Sequence, residues 1–284
     1  MATNSIFMRF PNGLAKALTL SYDDGVEQDY RLIEIMKRNG LCGTFNIPTS
    51  RYIEEGFTYP PEKKWGQNIT KAQATALYDQ PGIEPALHAL THAHLESLPT
   101  AQVAYEVIKD RENLEEQFSR IVRGMAYPYG TYSDEAVETL RTCGIAYCRT
   151  VKSTESFALP TDWLRLHPTC HHVNPRLPEL TKKFVEGNPN QAQAPWLFYL
   201  WGHSYEFERD NNWDVIETFS EQIGGKDDIW YATNIEIYDY VENFKRLIFS
   251  LDLKHVQNPT SYDFWFILRD KMIHIAPGET LLLD

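Results

Sequence analysis

Apolar and polar positions along this chain alternate in short runs, and most runs are followed by a stretch of longer period. Ala17-Leu18-Thr19-Leu20-Ser21-Tyr22 reads as a buried strand, with Gly25 just beyond it where the backbone must turn. Asp29 to Arg38 has helical spacing and is closed by Asn39-Gly40. Cys42 to Ile47 predicts a second strand, and residues 48 to 68, rich in Pro, Gly and aromatics, a long loop that could overhang a site. Thr70 to Tyr78 predicts a helix capped by Thr70, and Thr100 to Ser119 a longer one. Gly124 to Tyr127 then reads as a strand, Ser133 to Cys143 as a helix and Ala146 to Val151 as a strand. Trp196 to His203 and Trp230 to Asn234 are further strands, and Glu236 to Phe249 a final helix. Strand alternating with helix predicts an α/β fold, either a barrel or a doubly wound sheet. Both put chemistry at the carboxyl ends of strands.

From Pro259 the pattern changes. Asp263 to Leu268 and Met272 to Ile275 read as two strands joined by Arg269-Asp270-Lys271, and Pro277-Gly278 as a turn before Leu281-Leu282-Leu283. This predicts a main unit over residues 1–250 and a small C-terminal β appendage over 251–284, packed on it. An edge strand there could instead serve a homo-oligomer.

Two segments carry candidate chemistry. Asp23 and Asp24 are adjacent carboxylates at the carboxyl end of the first strand, where like charges are costly unless a cation or a proton compensates them. Neighbouring side chains on a strand point to opposite faces, so one could grip a metal while the other handles protons. An Asp-Asp-Gly surface turn would have the same sequence. The second segment, His88-Ala-Leu-Thr-His92-Ala-His94, holds three of the nine histidines within seven residues. His88 and His92, four apart, would share one face of a helical turn and could hold one transition metal. One carboxylate and two imidazoles leave coordination positions open, as a catalytic site requires.

Together these segments resemble the polysaccharide deacetylase family, also called the NodB homology or carbohydrate esterase family 4 domain. Ser21-Tyr22-Asp23-Asp24-Gly25 matches its first motif, and His88 to His92 its second, with Ala89 in place of a hydroxyl residue. Tyr127-Pro128-Tyr129-Gly130 matches the third except that Ala126 stands where the family has Arg. Asp162-Trp163 is a counterpart of the fourth, and Trp196 to His203, an apolar strand ending in His, of the fifth. The motifs run in family order over about two thirds of the chain. The resemblance implies a distorted (β/α)7 barrel. It also implies Asp23 as general base, Asp24, His88 and His92 as metal ligands, and His203 as general acid. The Tyr129 backbone amide would stabilise the oxyanion. The absent third-motif Arg predicts a basic residue from elsewhere beside Asp23: Arg149 on the next strand, or else Arg165.

The expected function is therefore metal-dependent hydrolysis of an acyl group, N-acetyl foremost, on a carbohydrate or other small acylated substrate, with Zn2+ as the metal. An allantoinase-like cyclic amide hydrolase shares the fold, and a carbohydrate-binding protein with an impaired site would fit the missing Arg. Composition narrows the partners. The chain has 284 residues, 43% of them hydrophobic, and a formal charge of −12 that disfavours nucleic acid and anionic membranes. No apolar run reaches spanning length, and the start lacks an apolar signal core, which predicts a cytoplasmic protein. Cys42, Cys143, Cys148 and Cys170 show no framework spacing and read as free thiols. Cys170-His171-His172 could be a second metal site, but with no acidic neighbour in sequence it reads first as pocket lining or loop.

Overall fold

A computed structural model describes residues 5–190 and 192–283, so the first four residues of the segment read for a signal lie outside it. Seven strands form one curled parallel sheet: β1 (Lys16–Asp23), β2 (Gly43–Ile47), β3 (Ile83–Leu87), β4 (Gly124–Ala126), β5 (Tyr147–Arg149), β6 (Cys170–His171) and β7 (Trp196–Gly202). Their spatial order is β5-β4-β3-β2-β1-β7-β6. This is the distorted (β/α)7 barrel. Every residue of β1 is buried, as expected of a parallel strand covered on both faces. β1 pairs with β7 from Lys16 to Tyr22 and with β2 from Leu20 to Asp23, so its carboxyl end opens at the centre of the sheet. The gap between β5 and β6 is spanned by an irregular segment. There Leu166 N–H donates to Cys148 O (3.0 Å), and Thr169 N–H donates to Tyr199 O (2.9 Å) on β7.

Helices Asp29–Arg38, Lys71–Tyr78, Thr100–Phe118 and Asp134–Thr142 follow the periodicity closely. The second begins with a capping box in which Thr70 and Gln73 satisfy each other's backbone amides, the arrangement Thr70 signalled. Leu32, Ile33, Ile35 and Met36 bury one face of the first against the sheet.

Three sequence expectations are corrected. The final helix is Asn234–Phe244, and Ile248–Phe249 is a strand paired with His255–Gln257, where ladder pairing overrides the continuing apolar period. Ile229–Tyr231 pairs beside Lys16–Leu18, off the seven-strand path, and β6 takes a place in the barrel that the sequence had not assigned it. Helices Leu177–Glu186, Ser204–Arg209 and Trp213–Ile223 also had no sequence assignment. Strands Phe264–Leu268 and Lys271–Ile275 form their hairpin as read, but Ile6–Arg9 completes their sheet. The division at residue 250 is thus a proposal that strands from both sides of it share. Among the described residues no helix is long and apolar enough to cross a membrane, and all four cysteines are free.

Candidate active site

β1 ends at Asp23, and the turn beyond it gives Asp24 a positive φ of 82°, followed by Gly25 at 61°. That turn aims the two carboxylates apart. Asp23 is 3% exposed, and its Oδ1 accepts from Asn46 Nδ2 on β2 at 2.9 Å. Its Oδ2 meets the Arg149 guanidinium from β5 in a buried ion pair. Arg149 is fully buried, with its plane 4.3 Å over the Trp201 ring. Ala126 and Arg149 are register partners on adjacent strands, so their side chains leave the sheet on the same face. Small Ala126 leaves the volume that Arg149 occupies. Burial pushes the Asp23 pKa up, but Arg149, then His88 and His203, outweigh it and hold the carboxyl below its usual range.

The histidine segment corrects the helical reading of His88 and His92. It is a loop after β3 in which Ala89 (φ 56°) and His92 (φ 59°) are both left-handed and His92 N–H donates to Ala89 O. The loop, rather than a helix face, brings the rings together, 4.7 Å apart between centroids. Asp110, buried in helix Thr100–Phe118, anchors it by accepting from His88 N–H at 3.1 Å. His88 Nδ1 lies 2.9 Å from the Ala126 carbonyl, so it carries the proton and leaves the Nε2 lone pair facing the aspartates. Burial lowers the pKa of both histidines, that of His92 to about 4, which keeps them neutral and able to bind metal.

Asp24 Oδ1 lies 3.4 Å from His92 Nε2 and 4.0 Å from His88 Nε2. The three donor atoms are within 4.8 Å of one another, and Asp24 Oδ1 is buried without a hydrogen-bond partner. An open carboxylate–diimidazole set with an orphaned buried oxygen fits a divalent transition metal. His94 stays outside this set, stacked on Tyr129 at 3.8 Å. Tyr129 is 51% exposed with φ 59°, and its ring edge packs on His92.

His203 follows β7 and caps helix Ser204–Arg209. Its Nε2 is 3.8 Å from Asp23 Oδ2, the same oxygen that His88 Nε2 approaches to 3.7 Å. Burial lowers its pKa, but Glu206 and the two aspartates more than reverse this, and the net shift is upward. Asp162 does not serve His203. It caps Trp163–Arg165 and binds Arg165, which also pairs with Asp134, so neither reaches Asp23.

Sequence reasoning missed Asn46 and Glu206. Glu206 Oε2 lies 3.1 Å from His171 Nε2, 3.2 Å from His172 Nε2 and 3.5 Å from His203 Nδ1. The acidic partner absent from the sequence neighbourhood of Cys170-His171-His172 arrives from the next βα connection. Gly202 makes room, because a Cβ there would sit 2.0 Å from His172 Nδ1. The donor atoms of His171, His203 and Glu206 are also mutually within 4.8 Å. Val173 N–H, however, donates to His171 Nδ1 at 3.2 Å, which leaves the proton on Nε2 facing the carboxylate. The cluster is a carboxylate flanked by three imidazoles. The spacing His203-x-x-Glu206 across a helix start was the available signal.

Beside Asp24, residues from the long 48–68 loop line a cavity of about 290 Å³ with Val26 and Tyr205. A larger cavity of about 450 Å³ opens at the amino ends of β3 and β4, between residues 79–85 and 120–123, and holds none of these groups.

A family model described as polysaccharide deacetylase matches residues 11–148. No curated protein matches the chain. Among solved structures, a polysaccharide deacetylase candidate from Mycobacterium smegmatis is 15% identical, covering 86% of this chain and 96% of its own, with a TM-score of 0.57. That likeness is one of fold. The deacetylase PplD of Streptococcus pyogenes, solved with acetate, is 19% identical over 58% of this chain and 68% of its own (TM-score 0.45). A carbohydrate esterase family 4 pseudoenzyme from Bacillus anthracis is 16% identical over 82% and 68% (TM-score 0.48).

Proposed function

The chain belongs to the polysaccharide deacetylase family through residues 11–148, and from that premise we propose that it is a metal-dependent hydrolase removing an acyl group, N-acetyl foremost, from a carbohydrate. One observation carries the reading. Asp23 Oδ2 is approached both by His88 Nε2 (3.7 Å), a member of the metal-competent triad, and by His203 Nε2 (3.8 Å), an imidazole of raised pKa. A base and an acid flanking one open position is what hydrolysis of an amide needs.

Asp24, His88 and His92 would hold the ion, zinc by donor set. Once bound, it would supply Lewis-acid polarisation of the acyl oxygen and raise the acidity of water. Asp23, kept ionised by Arg149 and oriented by Asn46, takes the proton of the attacking water. His203 returns a proton from Nε2 to the departing amine. Glu206, facing Nδ1, fixes which ring nitrogen is turned toward Asp23. The Tyr129 backbone N–H serves the oxyanion beside His92. Trp65 and Tyr205 at the cavity wall suit a sugar ring.

The test is acetate release from short N-acetylated sugars by zinc-loaded protein, with cyclic amides assayed alongside and Asp23→Asn as the control. Release abolished in Asp23→Asn supports the reading. Turnover of cyclic amides alone assigns the site to that reaction, and sugar binding without release makes the chain a binding protein.

A further inference from the structure

The cavity beside Asp24 has a charge pattern that hydrolysis of a neutral acyl sugar does not require. Two cationic side chains, Arg51 and Lys63, line it, and Asp24 is the one carboxylate among its lining residues. The chain as a whole is acidic, with 27 basic against 39 acidic residues, so a mouth of opposite sign stands out.

Arg51 lies 3.6 Å from Asp24 Oδ1, the oxygen that the donor set offers to a metal. A guanidinium and a divalent cation at one carboxylate repel each other, so once the ion is in place Arg51 needs a different anion. The protein offers none: among the described residues Arg51 has no other ion pair, and Lys63 has none at all. The loop that carries Lys63 is nonetheless anchored at the wall. Gly66, three residues on, packs against the Tyr205 ring, its N–H donates to Gln28 Oε1 at 3.3 Å, and Asn68 Nδ2 donates to Asp24 O at 2.9 Å. With an ion held by Asp24, Arg51 and Lys63 are two cations without a counter-ion on an anchored loop, and with Trp65 and Tyr205 beside them they make a subsite for a ring that carries negative charge.

We propose that this cavity binds an anionic group, a carboxylate or phosphate, carried by the same acylated sugar or its neighbouring residue, with Arg51 and Lys63 as its partners. The inference rests on the reading of the adjacent site as a sugar deacylase and narrows its substrate to an acidic carbohydrate. Specificity then comes from opposite charge at the mouth, and the neutral analogue loses that term.

The experiment titrates zinc-loaded Asp23→Asn protein, which binds without turnover, with two probes. One is a short N-acetylated glucosamine oligomer, the other the same backbone bearing a lactyl-ether carboxylate, and binding is read by calorimetry at low and high salt. The acidic probe should bind about tenfold more tightly, with the difference shrinking in salt. Lys63→Ala should shrink the difference while leaving the neutral probe's affinity unchanged, and Lys63→Arg should restore it. Because Lys63 is exposed, these variants are expected to fold. Equal binding of the two probes, or equal weakening of both by Lys63→Ala, overturns the proposal. Acetate release without charge preference would defeat this inference and leave the deacylase reading standing. Charge-dependent binding with no acetate release by the zinc-loaded parent protein would defeat the deacylase reading and leave the anionic subsite standing.

Discussion

Arg149→Met isolates the relocated arginine. The substitution keeps an unbranched apolar stem in a fully buried place but removes the cation from Asp23, which is 3% exposed. Breaking a buried pair from one side leaves an uncompensated charge and typically costs about 3–5 kcal/mol. Asp23 retains Asn46 at 2.9 Å, which places the expected loss near the lower end, about 3 kcal/mol. In a chain of this size that is a fall in Tm of about 5–10 °C. Without the guanidinium, burial is the leading influence on Asp23 and favours its protonated form, so the carboxyl no longer works as a base. Acetate release should drop by about 100- to 10,000-fold while the bound metal is retained. The register supplies a rescue: in the double variant Ala126→Arg, Arg149→Ala the cation returns from the paired position on β4. Thermal unfolding, metal analysis and acetate release are measured on all three proteins. An Arg149→Met protein with parental Tm and turnover would refute the reasoning, whatever the double variant does.

The two aspartates should separate cleanly: Asp23→Asn keeps the ion and loses turnover, whereas Asp24→Asn and His92→Ala lose the ion at their centre, as metal analysis would show. Identical behaviour of Asp23→Asn and Asp24→Asn would void the assignment. Glu84 gives a pH signature far from the metal. It accepts from Tyr147 Oη (2.7 Å), Thr44 Oγ1 (2.8 Å) and Ile235 N–H (3.0 Å), yet burial pushes its pKa up to about 7. A folded pKa above the unfolded one gives stability that is present in acid and lost as pH rises through about 7, a change of roughly 3 kcal/mol. Glu84→Gln cannot ionise, so its Tm should gain on the parent from about pH 4.5 to about pH 7 and level off above that. A constant difference across that range would contradict the shift.

The barrel was legible where periodicity and turn chemistry agreed. Asp29 to Arg38 has the bounds its pattern predicts, and Thr70 announced its own capping box. β6 was not legible, because a two-residue strand has no period, and its pairing with Leu200 and Trp201 is wholly tertiary. Helix Asn234–Phe244 was overextended because apolar spacing continues through Leu247 into a strand. At the site, residue types and motif order singled out the side chains that the fold brings together: Asp23, Asp24, His88, His92, His203 and Arg149. The means were not legible. His88 and His92 meet through left-handed loop residues that spacing alone renders as a helix. Asn46 reaches the site from a neighbouring strand with only distance in space to mark it, and Glu206 from a later connection with only its spacing from His203 as a signal.

Asp24, Ala89, His92 and Tyr129 all adopt positive φ without being glycine, at 82°, 56°, 59° and 59°. Each such residue forgoes on the order of 1–2 kcal/mol, and four together approach the whole net stability of an ordinary domain. Selection for heat resistance alone would therefore drift toward glycine here, Ala89→Gly first because it removes no ligand. Such a lineage would gain melting temperature while the loop that fixes two imidazoles acquired freedom to wander. Durability and readiness for chemistry thus pull these four positions in opposite directions, and the sequence as it stands records which demand prevailed.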